Sequence, residues 1–287
     1  MIKLCAFADE AEESLVGQIS ALKRNKIEYL ELRSIAGKNV KDFTIDEAKE
    51  YQRILSENGI KVWSIGSPLG KTDIDCDFKQ YENVVRHVYK LANVFETKRI
   101  RMFSFFNAYE KKEKVFLYLN RMVELASEYG VLLCHENEKE VYGDTLERVL
   151  ELKENVKGLA FVYDPANYLQ VGEKAEETLD KVHAISEYYH IKDVIVATDE
   201  LVPAGEGDGK IKEIIERVQG DTVLTLEPHL KTFAGYAAID NTVMKNKYSF
   251  KDGNQAFDAA VKALEKVLRQ ANYAYTEEKG GFIKVAD

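Results

Sequence analysis

The chain has 287 residues, 45% of them apolar and 31% charged, a balance that fits a folded globular protein and excludes the disordered and fibrous classes. Its formal charge of −9 comes without a basic block, so a small, neutral or mildly anionic metabolite is expected as partner, and no nucleic acid. No run approaches the roughly 18 apolar residues of a membrane span, and the opening MIKLCAFADEAEE turns acidic too soon for a secretory signal, which points to the cytoplasm.

Short β-branched or aromatic runs alternate with longer amphipathic ones along the whole chain. Strand Ile2–Ala8 leads to helix Leu15–Arg24, strand Glu28–Arg33 to helix Ile45–Asn58, and strand Lys61–Gly66 to helix Tyr81–Phe95. Strand Arg99–Ser104 precedes helix Glu113–Tyr129, and strand Val131–Asn137 precedes helix Thr145–Lys153. Strands Leu159–Asp164, Glu187–Lys192 and Thr222–Glu227 then alternate with helices Ala175–Ala184, Ile211–Gln219 and Asn254–Gln270. Asn58-Gly59 and Tyr129-Gly130 supply helix stops, since glycine adopts a left-handed cap at little cost. Strict alternation requires a parallel sheet with helical crossovers, and eight units favour closure into one α/β (β/α)₈ TIM barrel over an open doubly wound sheet. No linker rich in Pro, Gly or Ser divides it, so residues 1–274 are expected to be a single domain and residues 275–287 a frayed tail. Pro228–Gly253 is the one long segment without a period, placed where a lid over the barrel mouth would lie. Cys5, Cys76 and Cys134 match no metal or redox spacing and read as incidental thiols.

Active sites of such barrels sit at the C-terminal strand ends. Four consecutive predicted strands end in side chains that a packed core would not choose: VLLCHEN brings Glu136, LAFVYDPAN brings Asp164, YYHIKD brings His190 and TVLTLEPHL brings Glu227. Gathering three carboxylates without a cation costs several kcal/mol each in desolvation and repulsion. A divalent ion removes that difficulty, and three oxygen donors with one imidazole suit Mn²⁺, Mg²⁺, Co²⁺ or Zn²⁺. The absence of cysteine from the set argues against a structural zinc. The plainer alternative is a row of solvated strand ends, or a His–carboxylate pair that fixes loops.

The strings HENEKEVYGDT, YDPANYLQVG, HIKD, PAGEGDG and LTLEPHL, with the opening FADEA and the ELR of Glu31–Arg33, resemble the xylose-isomerase-like barrel superfamily of sugar and sugar-phosphate isomerases and epimerases. The resemblance covers nearly the whole chain. It implies one metal carried by a glutamate, an aspartate, a histidine and a glutamate from strands five to eight, which here match Glu136, Asp164, His190 and Glu227. It also implies proton transfer next to a carbonyl through an enediolate, the metal acting as Lewis acid and Glu136 and Glu227 as the proton-transfer pair. A dehydratase of inosose or dehydroshikimate type would use the same intermediate. One departure concerns substrate grip. Where ketose 3-epimerases of the superfamily place a histidine and an arginine, this chain has Asn167 and Val196.

Further substrate-binding candidates are Lys192, which faces the same way as His190, and Arg33 and Arg101 near the ends of strands two and four. Each has an ionic role as its alternative. His229 either faces the site or is a loop histidine, and Trp63 either forms a sugar-stacking wall or belongs to the core, as do Phe103, Phe105 and Phe106. Glu138 and Lys139 lie just past a strand end, as supporting groups. His135 should pack against helices, His87 and His183 should be ordinary helix residues, and Asp193 should fix a loop. The run GEGDGK lacks phosphate-loop spacing and reads as a tight turn into the helix at Ile211, with Glu206 a remote site candidate. Among rival functions, an abasic-site endonuclease on this barrel needs many histidines and a basic face, against five histidines and a charge of −9 here. A non-catalytic metabolite binder would tolerate loss of metal ligands, and none is lost. Self-association into a homo-oligomer is open.

Overall fold

A computed structural model describes residues 1–233 and 243–285. Eight parallel strands form its centre: β1 (Ile2–Ala6), β2 (Tyr29–Leu32), β3 (Lys61–Gly66), β4 (Arg99–Met102), β5 (Leu132–Glu136), β6 (Ala160–Tyr163), β7 (Ser186–Ile191) and β8 (Thr222–Leu226). Each pairs with its sequence neighbour, and β8 returns to β1 with Ile2 opposite Thr222 and Ala6 opposite Leu226, so the sheet closes. Closure is the reason that eight strand ends share one mouth.

The helices are α1 (Leu15–Arg24), α2 (Ile45–Glu57), α3 (Phe78–Val94), α4 (Lys112–Tyr129), α5 (Leu146–Asn155), α6 (Pro165–Gln170), α7 (Ala175–Val182), α8 (Ile211–Arg217) and α9 (Gly253–Gln270). Their starts follow local chemistry. Thr44 and Glu47 form a reciprocal capping box on α2, and Ser14, Asp77, Thr145 and Asp252 each accept a backbone N–H at the head of a helix. Gly130 takes the left-handed cap after α4 at φ +67°. On α9 the buried residues Phe257, Ala260, Val261, Leu264 and Leu268 recur at helical spacing and press onto the barrel. No helix among the described residues is long and apolar enough to cross a membrane.

Two bulges reset the strand alternation. Leu30 pairs with Val62 but Glu31 with Ser64, which leaves Trp63 out of the ladder; Phe161 pairs with Ser186 but Val162 with Tyr188, which leaves out Glu187. Trp63 consequently packs inside the barrel with Cys134, Val162 and Tyr188.

The tail differs from expectation. β9 (Tyr273–Thr276) and β10 (Gly281–Lys284) form an antiparallel hairpin that spans the expected boundary at 274/275, and Phe282 pairs with Ile2 at the foot of β1. Tyr273 and Phe282 are buried, so these residues pack at the lower end of the barrel beside β1 instead of fraying. Of the expected lid, residues 234–242 lie outside the described residues; on its near side Phe233 lies over the Arg33 guanidinium at 4.7 Å, and Asn246 donates to His229 O at 2.7 Å.

Candidate metal centre

Glu136 is the last residue of β5, and Asp164 the first after β6. His190 is the penultimate residue of β7, and Glu227 follows β8 directly. Asp164 is also the N-cap of α6: its Oδ1 accepts from Asn167 N at 3.0 Å, and Pro165 at the first helical position loses no bond there. Asn137 holds the Asp164 backbone on both sides, donating to its O at 2.8 Å and accepting from its N at 2.9 Å. The second carboxylate oxygen of Asp164 is thereby aimed at the mouth.

Each of the four side chains offers one ligand atom, and these atoms lie within 4.8 Å of one another. All four residues are buried. His190 Nδ1 stands 2.9 Å from Glu136 Oε1 and 3.1 Å from Glu227 Oε2. Its other nitrogen, Nε2, is 3.1 Å from Glu31 Oε2 on β2, and the edge of the Phe7 ring fixes the imidazole plane. Three cations interleave with the carboxylates. Lys192 Nζ is 2.9 Å from Asp164 Oδ2, Arg101 Nε is 3.2 Å from Glu136 Oε2, and Arg33 Nη1 donates to Glu227 Oε1 at 3.0 Å.

Burial and mutual repulsion act on this group against the cations interleaved with it. Burial pushes the Asp164 carboxyl up to about 7; Lys192 opposes this, while Glu136 and Glu227 add to it. Burial also acts to raise Glu227, but Lys192, then His190 and His229, hold it well below the usual carboxylate range. For His190, burial is the largest influence and favours the neutral ring, yet Glu136 and Glu31 together overcome it and raise its pKa. Asp164 Oδ2 and Glu227 Oε2 are buried without a hydrogen bond of acceptable geometry, Lys192 meeting Asp164 only as an ion pair. Two unsatisfied carboxylate oxygens, a third carboxylate and an imidazole nitrogen fit the donor set of a hard or borderline divalent cation.

Glu10, Glu227 and His229 make a second group of the same span. There the Arg33 guanidinium already lies between the carboxylates, 3.4 Å from Glu10 and 3.0 Å from Glu227, and it is also bidentate to Asp9. In that group a side-chain cation already takes the place between the carboxylates that an ion would need.

The structure brings Lys192, Arg33, Arg101 and His229 to the mouth, each against a carboxylate of the centre. Asn167 reaches it only through Asp164, because its side-chain amide donates to Asn137 O at 2.9 Å. Trp63 does not reach it. Trp63 stands early in β3, just below the level at which Ser64 meets the first residue of β4, so it lies at the N-terminal end of the barrel, where the Arg99 guanidinium covers its ring at 3.9 Å and is itself held by Glu187. A cavity of about 490 Å³ beside Trp63 therefore opens at the end opposite the centre. Phe103 lies under Arg101 and Lys71, whereas Phe105 packs between Tyr81 and Tyr118. Lys71 pairs with Glu138 at 3.0 Å. His135 is buried beneath, bonded to Ser104 Oγ, with burial pulling its pKa down to about 3. Asp193 accepts the N–H groups of Val194, Gly205, Gly207 and Gly209, so the glycine run wraps a carboxylate and turns its glycine amides toward it. Glu206 turns outward to the Tyr248 hydroxyl. Glu31, Asp9 and Glu10 were not among the expected site residues. The signal for Glu31 was a lone glutamate between two buried leucines in the strand YLEL.

The family description "xylose isomerase-like TIM barrel" matches residues 19–267. No curated protein sequence matches the chain. Among solved structures, the probable 3-DHS dehydratase AsbF of Bacillus anthracis, involved in petrobactin synthesis, superposes with a TM-score of 0.71 at 18% identity, covering 92% of this chain and 99% of its own. An IolI protein with a bound zinc atom gives 0.68 at 17% identity over 94% and 99%, and D-psicose 3-epimerase in the presence of D-fructose gives 0.70 at 14% over 93% and 98%. At these identities the likeness is one of fold.

Proposed function

The chain belongs to the xylose isomerase-like TIM barrel family, and from that membership and the centre at its mouth we propose that it is a divalent-metal-dependent isomerase or epimerase of a sugar, a sugar phosphate or a related polyol ketone. The observation that carries this reading is the convergence of Glu136 Oε1 and Glu227 Oε2 on one His190 nitrogen, at 2.9 and 3.1 Å, with Asp164 in the same group. Two carboxylates that flank one point are what proton removal and return at a carbon beside a carbonyl require. When bound, Mn²⁺, Mg²⁺, Co²⁺ or Zn²⁺ supplies Lewis acidity toward the developing oxyanion.

The side chains divide the remaining work. Glu136 and Glu227 exchange the proton, one as base and the other as its conjugate acid. Asp164 and His190 anchor the ion beneath them. Lys192, Arg101, Arg33 and His229 ring the mouth and orient hydroxyl or carbonyl oxygens of the substrate, each already held in place by a carboxylate of the centre.

The test uses a panel of ketoses, inososes and sugar phosphates with Mn²⁺ in heavy water. Wild type should exchange the hydrogen next to the carbonyl of its substrate. Glu136→Gln and Glu227→Gln should each lose activity by about 10²–10⁴-fold, the usual cost of removing a general base, while still binding some metal. At least one of the two should abolish exchange. Exchange at the wild-type rate in both variants would refute the assignment. Products are scored for loss of water as well as for isomerisation, because the same proton removal starts a dehydration.

A further inference from the structure

Glu31 has no part in the proton transfer described above, yet it is completely buried on an interior strand. Among the described residues no lysine or arginine pairs with it. Its two oxygens take one donor each: Tyr188 OH at 2.7 Å on Oε1 and His190 Nε2 at 3.1 Å on Oε2. Tyr188 also lies 3.3 Å from Ser64 Oγ, so the carboxylate is oriented from below by a hydroxyl that is itself tethered. An isolated buried carboxylate costs several kcal/mol, and an apolar residue between Leu30 and Leu32 would avoid that cost.

The two nitrogens of His190 have different surroundings. Nδ1 faces Glu136 and Glu227, the oxygens that a cation would share. To ligate a cation there, Nδ1 must present its lone pair, so the ring proton must sit on Nε2 and needs an acceptor. Glu31 Oε2 is that acceptor. The ring has little freedom to turn, since Phe7 meets it edge-on at 5.2 Å and Tyr188 at 5.6 Å between centroids.

We infer that Glu31 is a positioning residue for the metal centre: by accepting the Nε2–H of His190 it fixes the imidazole in the tautomer that turns the Nδ1 lone pair toward Glu136 and Glu227. The inference rests on the reading of the four-residue group as a metal site. It assigns to β2 a share in a centre whose ligands all come from β5 to β8.

The experiment titrates the metal-free full-length chain with Mn²⁺ alone. Glu31→Gln, similar in size but uncharged, should bind Mn²⁺ about 10- to 100-fold more weakly than wild type, the usual loss when a partner of a metal-bound histidine is removed. Tyr188→Phe keeps the Glu31–His190 bond and should lose less. A second measurement needs no variant. Nitrogen-15 spectra of histidine-labelled, Zn²⁺-loaded wild type should show His190 protonated on Nε2 and metal-bound through Nδ1. This resonance assignment decides the matter should Glu31→Gln fail to fold. Wild-type Mn²⁺ affinity in a folded Glu31→Gln, or a metal on Nε2, would overturn the role of Glu31 and leave the centre standing. Failure of wild type to bind either ion would overturn the metal reading and this inference with it.

Discussion

Lys192 and the proposed divalent cation would act on the same charges. In the metal-free chain the Lys192 ammonium stands 2.9 Å from Asp164 Oδ2 and 4.0 Å from Glu227 Oε2, deep enough that little water helps either carboxylate. Removing one partner of a buried ion pair typically costs about 3–5 kcal/mol, because the other charge is left uncompensated. Lys192→Met should therefore destabilise the protein strongly in a chelator. With saturating Mn²⁺ the ion takes over the neutralisation, and the gap to wild type in denaturant midpoint should shrink. A gap of the same size with and without Mn²⁺ would mean that the lysine and the ion do not share those carboxylates. Glu10 carries a second residue-level consequence. Burial pushes its carboxyl up to about 8, against the pull of Arg33 and with the push of Glu227 and Asp9. A folded-state pKa above the unfolded one means that the native state holds the extra proton. The stability it contributes is complete below the unfolded value, near 4.3, and is lost as pH rises toward 8. In a chelator, Glu10→Gln should thus gain melting temperature relative to wild type as pH climbs from 5 to 8. A difference that stays constant over that range would contradict this account.

At the scale of elements, strand ends do the positioning, and most of them were readable. All eight predicted helices and all eight barrel strands match observed elements to within a few residues, because burial on one face of a helix and on both faces of a parallel strand writes a clear period. Glu136, Asp164, His190 and Glu227 stood out because each follows an apolar run that has no other reason to end in a charge. What was not readable had no period to read. A bulge adds one residue to a strand and reverses its alternation, as at Trp63, and this tryptophan, only third in its six-residue strand, lies at the foot where the mouth was expected. α6 has six residues, too few to show a repeat. The terminal hairpin β9–β10 takes its structure from β1, a partner at the far end of the chain. Phe282 tests that correction, since it is buried against the foot of the barrel. Phe282→Ala should cost about 3–5 kcal/mol in equilibrium unfolding, as deletion of a buried ring does. A cost below about 0.5 kcal/mol, ordinary for an exposed position, would return these residues to the status of a tail.

Across the whole molecule, the centre exists only when the barrel is closed. His190 on β7 meets Glu31 on β2, Arg33 from beyond β2 meets Glu227 after β8, and Arg101 on β4 meets Glu136 on β5. The proposed metal site therefore belongs to the folded state, and a metal that binds there should stabilise it by mass action, about 2.7 kcal/mol at a hundredfold excess over Kd. The interleaved cations keep the empty-handed centre from repelling itself apart, and their arrangement around four donors marks one point in the mouth. Anomalous diffraction from crystals grown with Zn²⁺ locates that point directly. The account expects a single strong peak within about 2.0–2.2 Å of His190 Nδ1 and of oxygens from Glu136, Asp164 and Glu227, the usual zinc–ligand distances. A peak among Glu10, Glu227 and His229 instead, or no peak in the mouth at all, would contradict it.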